Sequence, residues 1–262
     1  MADSRAWPRV VGVLHLPPLP GSARGGDAGS MGAIIDATLR DAEIYRDAGI
    51  DTVIVENYGD LPFVRDRVDA AVTSAMTRVV DAVCRETGLT VGVNVLRNDV
   101  LTAVSIAAMT GARFVRSNVY VGVMQTESGI IQGCAHAVQQ EIKRLGASIE
   151  VWADLDVKHA APLVARSITE QADDALERAF ASALILTGPA TGAAADPGAV
   201  ACLREHTSAP IYVGSGATAR TIPTMPGATG FIVGTAMKVD GVVTNPVDPA
   251  RVRAVLDAAL AT

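Results

Sequence analysis

The chain has 262 residues, enough for one domain or two small ones, and a formal net charge of −6. This acidic balance, with no basic cluster, argues against nucleic acid as a partner. Three cysteines without metal-ligand spacing, no signal-peptide core and no apolar run near the roughly 20 residues of a membrane helix predict a cytoplasmic protein without a transmembrane segment.

Short apolar runs alternate along the chain with segments whose apolar residues recur every three or four positions. The first pattern indicates buried parallel strands and the second indicates helices that cover them. Glycines follow four of the helical segments, as C-terminal caps do. The predicted strands are residues 10–16, 51–57, 90–96, 113–119, 150–157, 182–188, 210–216 and 230–235, and the predicted helices are residues 34–48, 72–87, 100–110, 135–145, 168–180 and 197–206.

Eight strand–helix alternations and a length near the roughly 250 residues of one barrel predict a closed (β/α)8 TIM barrel. A doubly wound open sheet is the alternative. No linker interrupts the series, so we expect a single barrel domain over residues 1–262. Residues 17–32, 58–71 and 120–133 form long loops that are candidate lids over the barrel mouth, whereas residues 218–229 are predicted to contain only a weak helix.

Polar residues collect at the ends of the first five predicted strands, the rim where barrel active sites lie. Asp154 and Asp156 share a strand face, so their charges need a proton or a cation between them, for which Lys158 and His159 are candidates. In the alternative, His15 is a core histidine and Lys158 a rim ion-pair partner. The sequence predicts catalytic roles for His15, Glu56, Asp154, Asp156 and Lys158, and substrate contacts from Asn57, Asn94, Arg97, Arg116, Asn118, His159, Thr187 and Gly188.

Several of these side chains, including His15, Glu56, His159 and the two aspartates, are of the types that bind divalent metals. A metal cofactor therefore stays open, and the cofactor is otherwise unknown. The chain contains no HExxH, CxxC, GxSxG or Walker A string. The best-known metalloprotease, thiol-redox, serine-hydrolase and P-loop chemistries consequently have no support in the sequence.

Two glycine turns follow the last two predicted strands, in IYVGSGAT (211–218) and FIVGT (231–235). Glycine lets backbone N–H groups approach a ligand, and successive free N–H groups form an anion cradle. Loops after the last two strands hold phosphate in many barrels. Ordinary tight turns are the alternative. The predicted phosphate contacts are Gly214, Ser215, Gly216, Gly234, Thr235 and Lys238.

Three uncommon strings, HLPPLPGS (15–22), VENYGD (55–60) and GVNVLRND (92–99), are carried together with ADLDVKHAAPL (153–163). With the glycine turns, they make the chain resemble the BtpA/SgcQ family from Val10 to Arg253. The resemblance implies a TIM barrel of a phosphate-binding group. The family name refers to photosystem I biogenesis in one lineage, but members occur where no photosystem exists, so the name implies little about chemistry.

Two functions fit these patterns. The first is an enzyme, an isomerase or lyase that uses acid–base chemistry on a small phosphorylated metabolite such as a sugar- or nucleotide-like phosphate. The second is a non-catalytic barrel that assists assembly or stability of a protein complex. A charged, enclosed pocket favours the first, and a large exposed apolar patch favours the second. A homo-oligomer is expected by base rate.

Overall fold

The computed structural model describes residues 6–26, 29–155, 160–188 and 195–262. Eight of its strands are parallel: β1 (Val10–His15), β2 (Thr52–Glu56), β3 (Thr90–Asn94), β4 (Phe114–Ser117), β7 (Glu150–Asp154), β9 (Ala183–Leu186), β10 (Ile211–Val213) and β11 (Gly230–Val233). They form a closed barrel in the order β1-β2-β3-β4-β7-β9-β10-β11, and β11 pairs back onto β1. This confirms the predicted closed barrel and all its strands.

Helices follow most of the barrel strands and cover the outside of the sheet. Left-handed glycines end four of them, as predicted, because glycine adopts a positive φ without steric cost. Only a short 3-10 turn lies between β10 and β11. The helices are α1 (Met31–Ala48), α2 (Ala70–Thr87), α3 (Val100–Thr110), α4 (Ala135–Leu145), α5 (Ile168–Asp173), which continues into a π-helical turn at Asp174–Arg178, α6 (Pro197–His206) and α7 (Pro249–Leu260). None of the described helices is both long and apolar enough to cross a membrane.

Aromatic rings fill the interior of the barrel. The Trp152 ring stacks between Phe114 and Tyr212, with ring centroids 4.1 and 4.4 Å apart, and Trp7 packs against Trp152 from below at 5.8 Å. All three stacked residues are fully buried. The barrel is therefore a packed core rather than a channel, as in other TIM barrels, and open space remains at its C-terminal mouth.

A small antiparallel sheet stands over part of this mouth, where the sequence predicted only a loop. We call it the mouth sheet; it consists of β5 (Val123–Thr126), β6 (Gly129–Gln132) and β8 (Ala160–Pro162), in the order β6-β5-β8. Ser128 Oγ, at the tip of its hairpin, donates to Phe63 O at 3.0 Å. Strands of three or four residues give little alternation to detect, and β8 comes from a different loop, so the sequence did not reveal this sheet.

The aromatic stack generates a prediction at Gly92 in β3. A Cβ at this position would lie 2.3 Å from the Phe114 ring, so Gly92→Ala should force the stack to shift and lower the free energy of unfolding by about 1–3 kcal/mol. Gly26→Ala is the matched control, because no atom lies within 4 Å of its Cβ position. Urea unfolding of both variants measures the effect, and equal stabilities would contradict it.

Candidate active site

A cavity of about 220 Å³ lies at the C-terminal mouth, and strands from both ends of the chain contribute to it. Among the described residues, its charged or titratable lining comes from β1, β2 and β4, and its backbone lining comes from the turns after β10 and β11. The structure therefore brings predicted acid–base residues and predicted phosphate turns into one space. The lining consists of Val13, His15, Glu56, Arg116, Gly241 and residues 214–218 and 232–236.

His15, Glu56 and Asn94 form a row across three neighbouring strands, because they are directly paired in the sheet register. Asn94 Nδ2 donates to Glu56 Oε2 at 2.7 Å, and Glu56 Oε1 lies 3.9 Å from His15 Nε2. One carboxylate oxygen is thus held by the amide while the other faces the imidazole. The Tyr58 ring packs edge-on against His15, with centroids 5.1 Å apart. Tyr58 was not predicted, although its place directly after a strand end was a signal.

Arg116 and Asp154 form a buried ion pair beside this row. The Nε and Nη2 atoms of Arg116 lie 3.1–3.3 Å from both carboxylate oxygens, and Asn118 Nδ2 donates to Asp154 Oδ2 at 2.6 Å. Burial alone would lower the pKa of Arg116, but the charges of Asp154 and Glu56 and the hydrogen bond to Asp154 outweigh it and raise that pKa. Arg116 is therefore permanently charged.

This pair supplies a charge partner for Asp154 that the sequence analysis did not name. The sequence suggested Lys158 or His159, and in the structure Arg116 on the adjacent strand lies against both carboxylate oxygens of Asp154. Arg116 is paired with Trp152 in the sheet, which places Asp154 two residues further along and on the same face. Asp156, Lys158 and His159 lie outside the described residues.

Asn57 and the unpredicted Asp60 join three of the loops at the mouth. Asn57 Oδ1 accepts from Leu96 N at 2.7 Å, its Nδ2 donates to Asp60 Oδ2 at 2.9 Å, and Asp60 Oδ1 accepts from Leu19 N at 2.7 Å. Asn57 was predicted to contact substrate, but it is fully buried and its amide is used by the protein. Its role in the structure is to fasten the loops after β1, β2 and β3.

The turn after β10 has a backbone suited to an anion, with one exception. Gly216 has φ 63°, and Thr221 fixes the turn by donating from Oγ1 to Gly216 O at 2.6 Å and accepting from Thr218 N at 2.9 Å. The exception is Gly214, whose N–H donates to Leu186 O at 2.7 Å and is therefore occupied by the sheet. Gly214 instead allows close packing, since a Cβ there would lie 2.7 Å from Ile185 Cγ2.

The turn after β11 touches the imidazole of His15. A Cβ at Gly234 would lie 2.3 Å from His15 Cε1, so only glycine lets the ring approach this turn. Thr235 follows and begins a 3-10 turn over Thr235–Met237. The turn after β11 thus contacts His15, and Arg116 lines the same cavity as both turns, so any group bound between the turns lies next to both side chains.

Several predicted contacts lie elsewhere. The Lys238 ammonium is buried and lies 2.6 Å from Asp41 Oδ2 on α1, so it joins a helix to the barrel rather than facing the cavity. Arg97 Nε lies 3.2 Å from Glu127 Oε1 and thereby holds the hairpin of the mouth sheet. Thr187 and Gly188, by contrast, are buried directly after β9, and Thr187 lies beside the cavity turn, since a Cβ on Gly214 would lie 3.3 Å from Thr187 Cγ2. No group of three or more His, Cys, Asp or Glu side chains suited to a metal ion occurs among the described residues.

A profile of the BtpA family matches residues 7–261. The chain belongs to the BtpA family. A photosystem I biogenesis protein BtpA from Synechocystis is 41% identical over 254 residues, which cover 95% of this chain and 87% of that protein.

Solved structures show the same fold at low identity. An N-(5'-phosphoribosyl)anthranilate isomerase from Pyrococcus furiosus matches with a TM-score of 0.59 at 12% identity, over 98% of this chain and 100% of that one. A (S)-3-O-geranylgeranylglyceryl phosphate synthase from Thermoplasma acidophilum, in complex with sn-glycerol-1-phosphate, matches with a TM-score of 0.61 at 14% identity, over 97% and 94%. These matches place the BtpA-family chain among TIM barrels.

The ion pair in this BtpA-family barrel predicts a large stability effect. Asp154→Asn should leave the buried Arg116 charge uncompensated and lower the free energy of unfolding by about 3–5 kcal/mol. Asp81→Asn removes a carboxylate from an exposed pair with Arg85 and serves as the matched control, with little expected change. Chemical denaturation compares the variants, and an Asp154→Asn variant as stable as the control would rule out a structural role for the pair.

Asp60 predicts a dependence of stability on pH. Burial raises the pKa of Asp60 above its ordinary value of 3.8, and hydrogen bonds from Leu19 and Asn57 offset only part of this. The folded state then holds the proton more tightly than the unfolded chain, so the contribution of Asp60 to the free energy of unfolding is full below pH 3.8 and is lost as pH rises through the folded pKa.

We therefore expect the free energy of unfolding of wild type to fall relative to that of Asp60→Asn as pH rises from about 3.5 to about 6.5. Denaturation curves of both proteins across this interval measure the difference. If the free energy of unfolding of wild type instead rises relative to that of Asp60→Asn over the same interval, the pKa of Asp60 is lowered in the folded state.

Proposed function

We propose that this BtpA-family protein is an enzyme that acts on a small phosphorylated metabolite by acid–base isomerase or lyase chemistry. One observation carries the proposal: the cavity that contains His15 and Glu56 is also lined by the two glycine turns. Its volume of about 220 Å³ is below the roughly 300–1,000 Å³ of pockets for drug-sized ligands, so a metabolite of sugar-phosphate size suits it.

In this proposal the phosphate is bound by backbone N–H groups of Ser215, Gly216 and Thr235 rather than by a side-chain cation. Lys238 is paired with Asp41, and the Arg116 charge is already balanced by Asp154. Successive N–H groups around a left-handed glycine can bind an anion by their dipoles alone. The phosphate then serves as an anchor that positions the reacting part of the metabolite.

The row of His15, Glu56 and Asn94 supplies the proton transfers. Glu56, held by Asn94, is oriented to take a proton from a carbon or hydroxyl of the substrate, and His15 is placed to give or take one nearby. Contact between His15 and Gly234 sets the imidazole directly beside the phosphate anchor. Asp154, whose oxygens are held by Arg116 and Asn118, keeps Arg116 in place at the mouth, and Asp156 and Lys158 stay predicted catalytic residues.

The solved structures of the same fold support a phosphorylated substrate. The two matches described above are named for a phosphoribosyl compound and for a glyceryl phosphate, and one of them holds sn-glycerol-1-phosphate. At 12% and 14% identity the likeness concerns the fold, and the proposal for this chain rests on its own cavity.

A second candidate function, assistance in the assembly of a protein complex, is favoured by the name of the Synechocystis relative and by the exposed apolar side chains of the mouth sheet. An assembly role needs a surface rather than a charged cavity. That role does not require the acid–base row and both glycine turns to meet in one cavity, and we therefore place the enzyme first.

The phosphate site is tested at Gly216. A bulky residue here must adopt φ 63° and bring a side chain to the turn, so Gly216→Val should weaken binding of inorganic phosphate about tenfold or more, equivalent to about 1.4 kcal/mol. Gly88→Val is the matched control, because Gly88 has φ 72° but caps α2, and no atom lies within 4 Å of its Cβ position. Isothermal titration calorimetry measures the affinities.

Equal phosphate affinity in wild type and Gly216→Val would refute the site.

The proposed enzymatic activity is tested with the metabolite that native mass spectrometry finds on the purified protein. His15→Asn should retain that compound and lose its conversion. Equal affinity for the compound with and without its phosphate would count against the proposed substrate class.

A further inference from the structure

The mouth sheet has one buried face and one face directed to solvent. Its buried face carries Met124 and Ile131, which pack on Val119. Directly paired residues point to the same side of a sheet, so the sheet register and the bond from Leu163 N to Val123 O define the other side. This outer face consists of Val123, Gln125, Ile130, Gln132, Ala161 and Leu163.

The outer face of the mouth sheet carries no charged residue. Ile130 and Leu163 are each 52% exposed, and the adjoining Val164 is 73% exposed. Single exposed apolar side chains are ordinary on protein surfaces, but several on one small uncharged face mark a contact surface.

A groove of about 560 Å³ extends this surface beyond the sheet. Val123 and Gln132 of the outer face line one side, and Phe180, after the π-helical turn, lines the other. Phe180 is 67% exposed and has φ 58°, a left-handed conformation that is costly for a bulky residue. An exposed aromatic ring kept in this conformation at the edge of a groove suggests that the ring is used for contact.

The charges around this surface are mixed in sign. Asp174 and Arg178 line the groove, and a second groove along β6 has Arg65, Asp66 and Arg67 in its wall. An uncharged centre with a rim of both signs is the usual anatomy of a protein interface. Because the whole chain carries −6, two copies repel over most of their surfaces, but an uncharged face can meet its own copy across a two-fold axis without that repulsion.

The area that a stable dimer interface buries determines which surface regions must belong to it. From strand spacing and rise, the outer face alone covers roughly 200 Å². A stable interface needs about 800 Å² from each partner. The face is therefore too small by itself, and the groove with Phe180, together with Val164, has to be included. We propose that the outer face of the mouth sheet and the adjoining groove form the surface by which two copies of this chain associate.

Sedimentation velocity tests the proposal, which is independent of the enzymatic function. Wild type should sediment as two 27.0 kDa chains, whereas Ile130→Lys and Leu163→Lys, which place charges on the outer face of both copies, should sediment as single chains. Leu260→Lys is the matched control, because Leu260 is 66% exposed near the end of α7, away from the mouth sheet. The control should remain a dimer.

A wild type that stays monomeric as its concentration rises would overturn the proposal and leave the surface to a different protein. A dimer that survives both charge substitutions would overturn it as well, because another face would then hold the copies together. Thermal melting checks that the variants fold. If Ile130→Lys or Leu163→Lys melts early, Gln125→Lys decides the matter, since Gln125 is exposed and pairs with both neighbouring strands of the face.

Discussion

Pairing between β1 and β11 closes the sheet, and the cavity depends on it. His15 is the last residue of the first strand and Gly234 directly follows the last strand, so an open sheet would leave them at opposite edges. Closure brings the imidazole against a turn where only glycine leaves room for it. A ring of parallel strands also directs every strand end to one rim, which is why residues far apart in the chain share one small space.

Charge inside this rim is balanced locally. Arg116 and Asp154 neutralise each other, and Asn118 and Asn94 donate to the two carboxylates that face the mouth. Burying such groups is costly unless each has a partner, and here each partner comes from an adjacent strand. The result is a polar site whose side chains are already fixed in position, a condition for acid–base chemistry.

The loops above the barrel are fastened by their own polar residues. Asn57 and Asp60 join the loops after β1, β2 and β3, while Arg97 and Ser128 attach the hairpin of the mouth sheet to this group. Asn57 and Arg97, which the sequence predicted as substrate contacts, therefore hold the loops around the cavity in place. These contacts fix the position of the mouth sheet and of its outer face relative to the barrel.

The sequence by itself determined the barrel, its strands and the polar rim, because strands buried on both sides must be continuous apolar runs and because polar groups are tolerated at their ends. It also located both glycine turns. Only the tertiary structure decided that Arg116 pairs with Asp154, that Lys238 pairs with Asp41 and that Asn57 holds loops. Those partners depend on the register between strands and on the position of the helices, neither of which can be read from the order of residues. Residue type alone therefore could not distinguish a ligand contact from a structural contact.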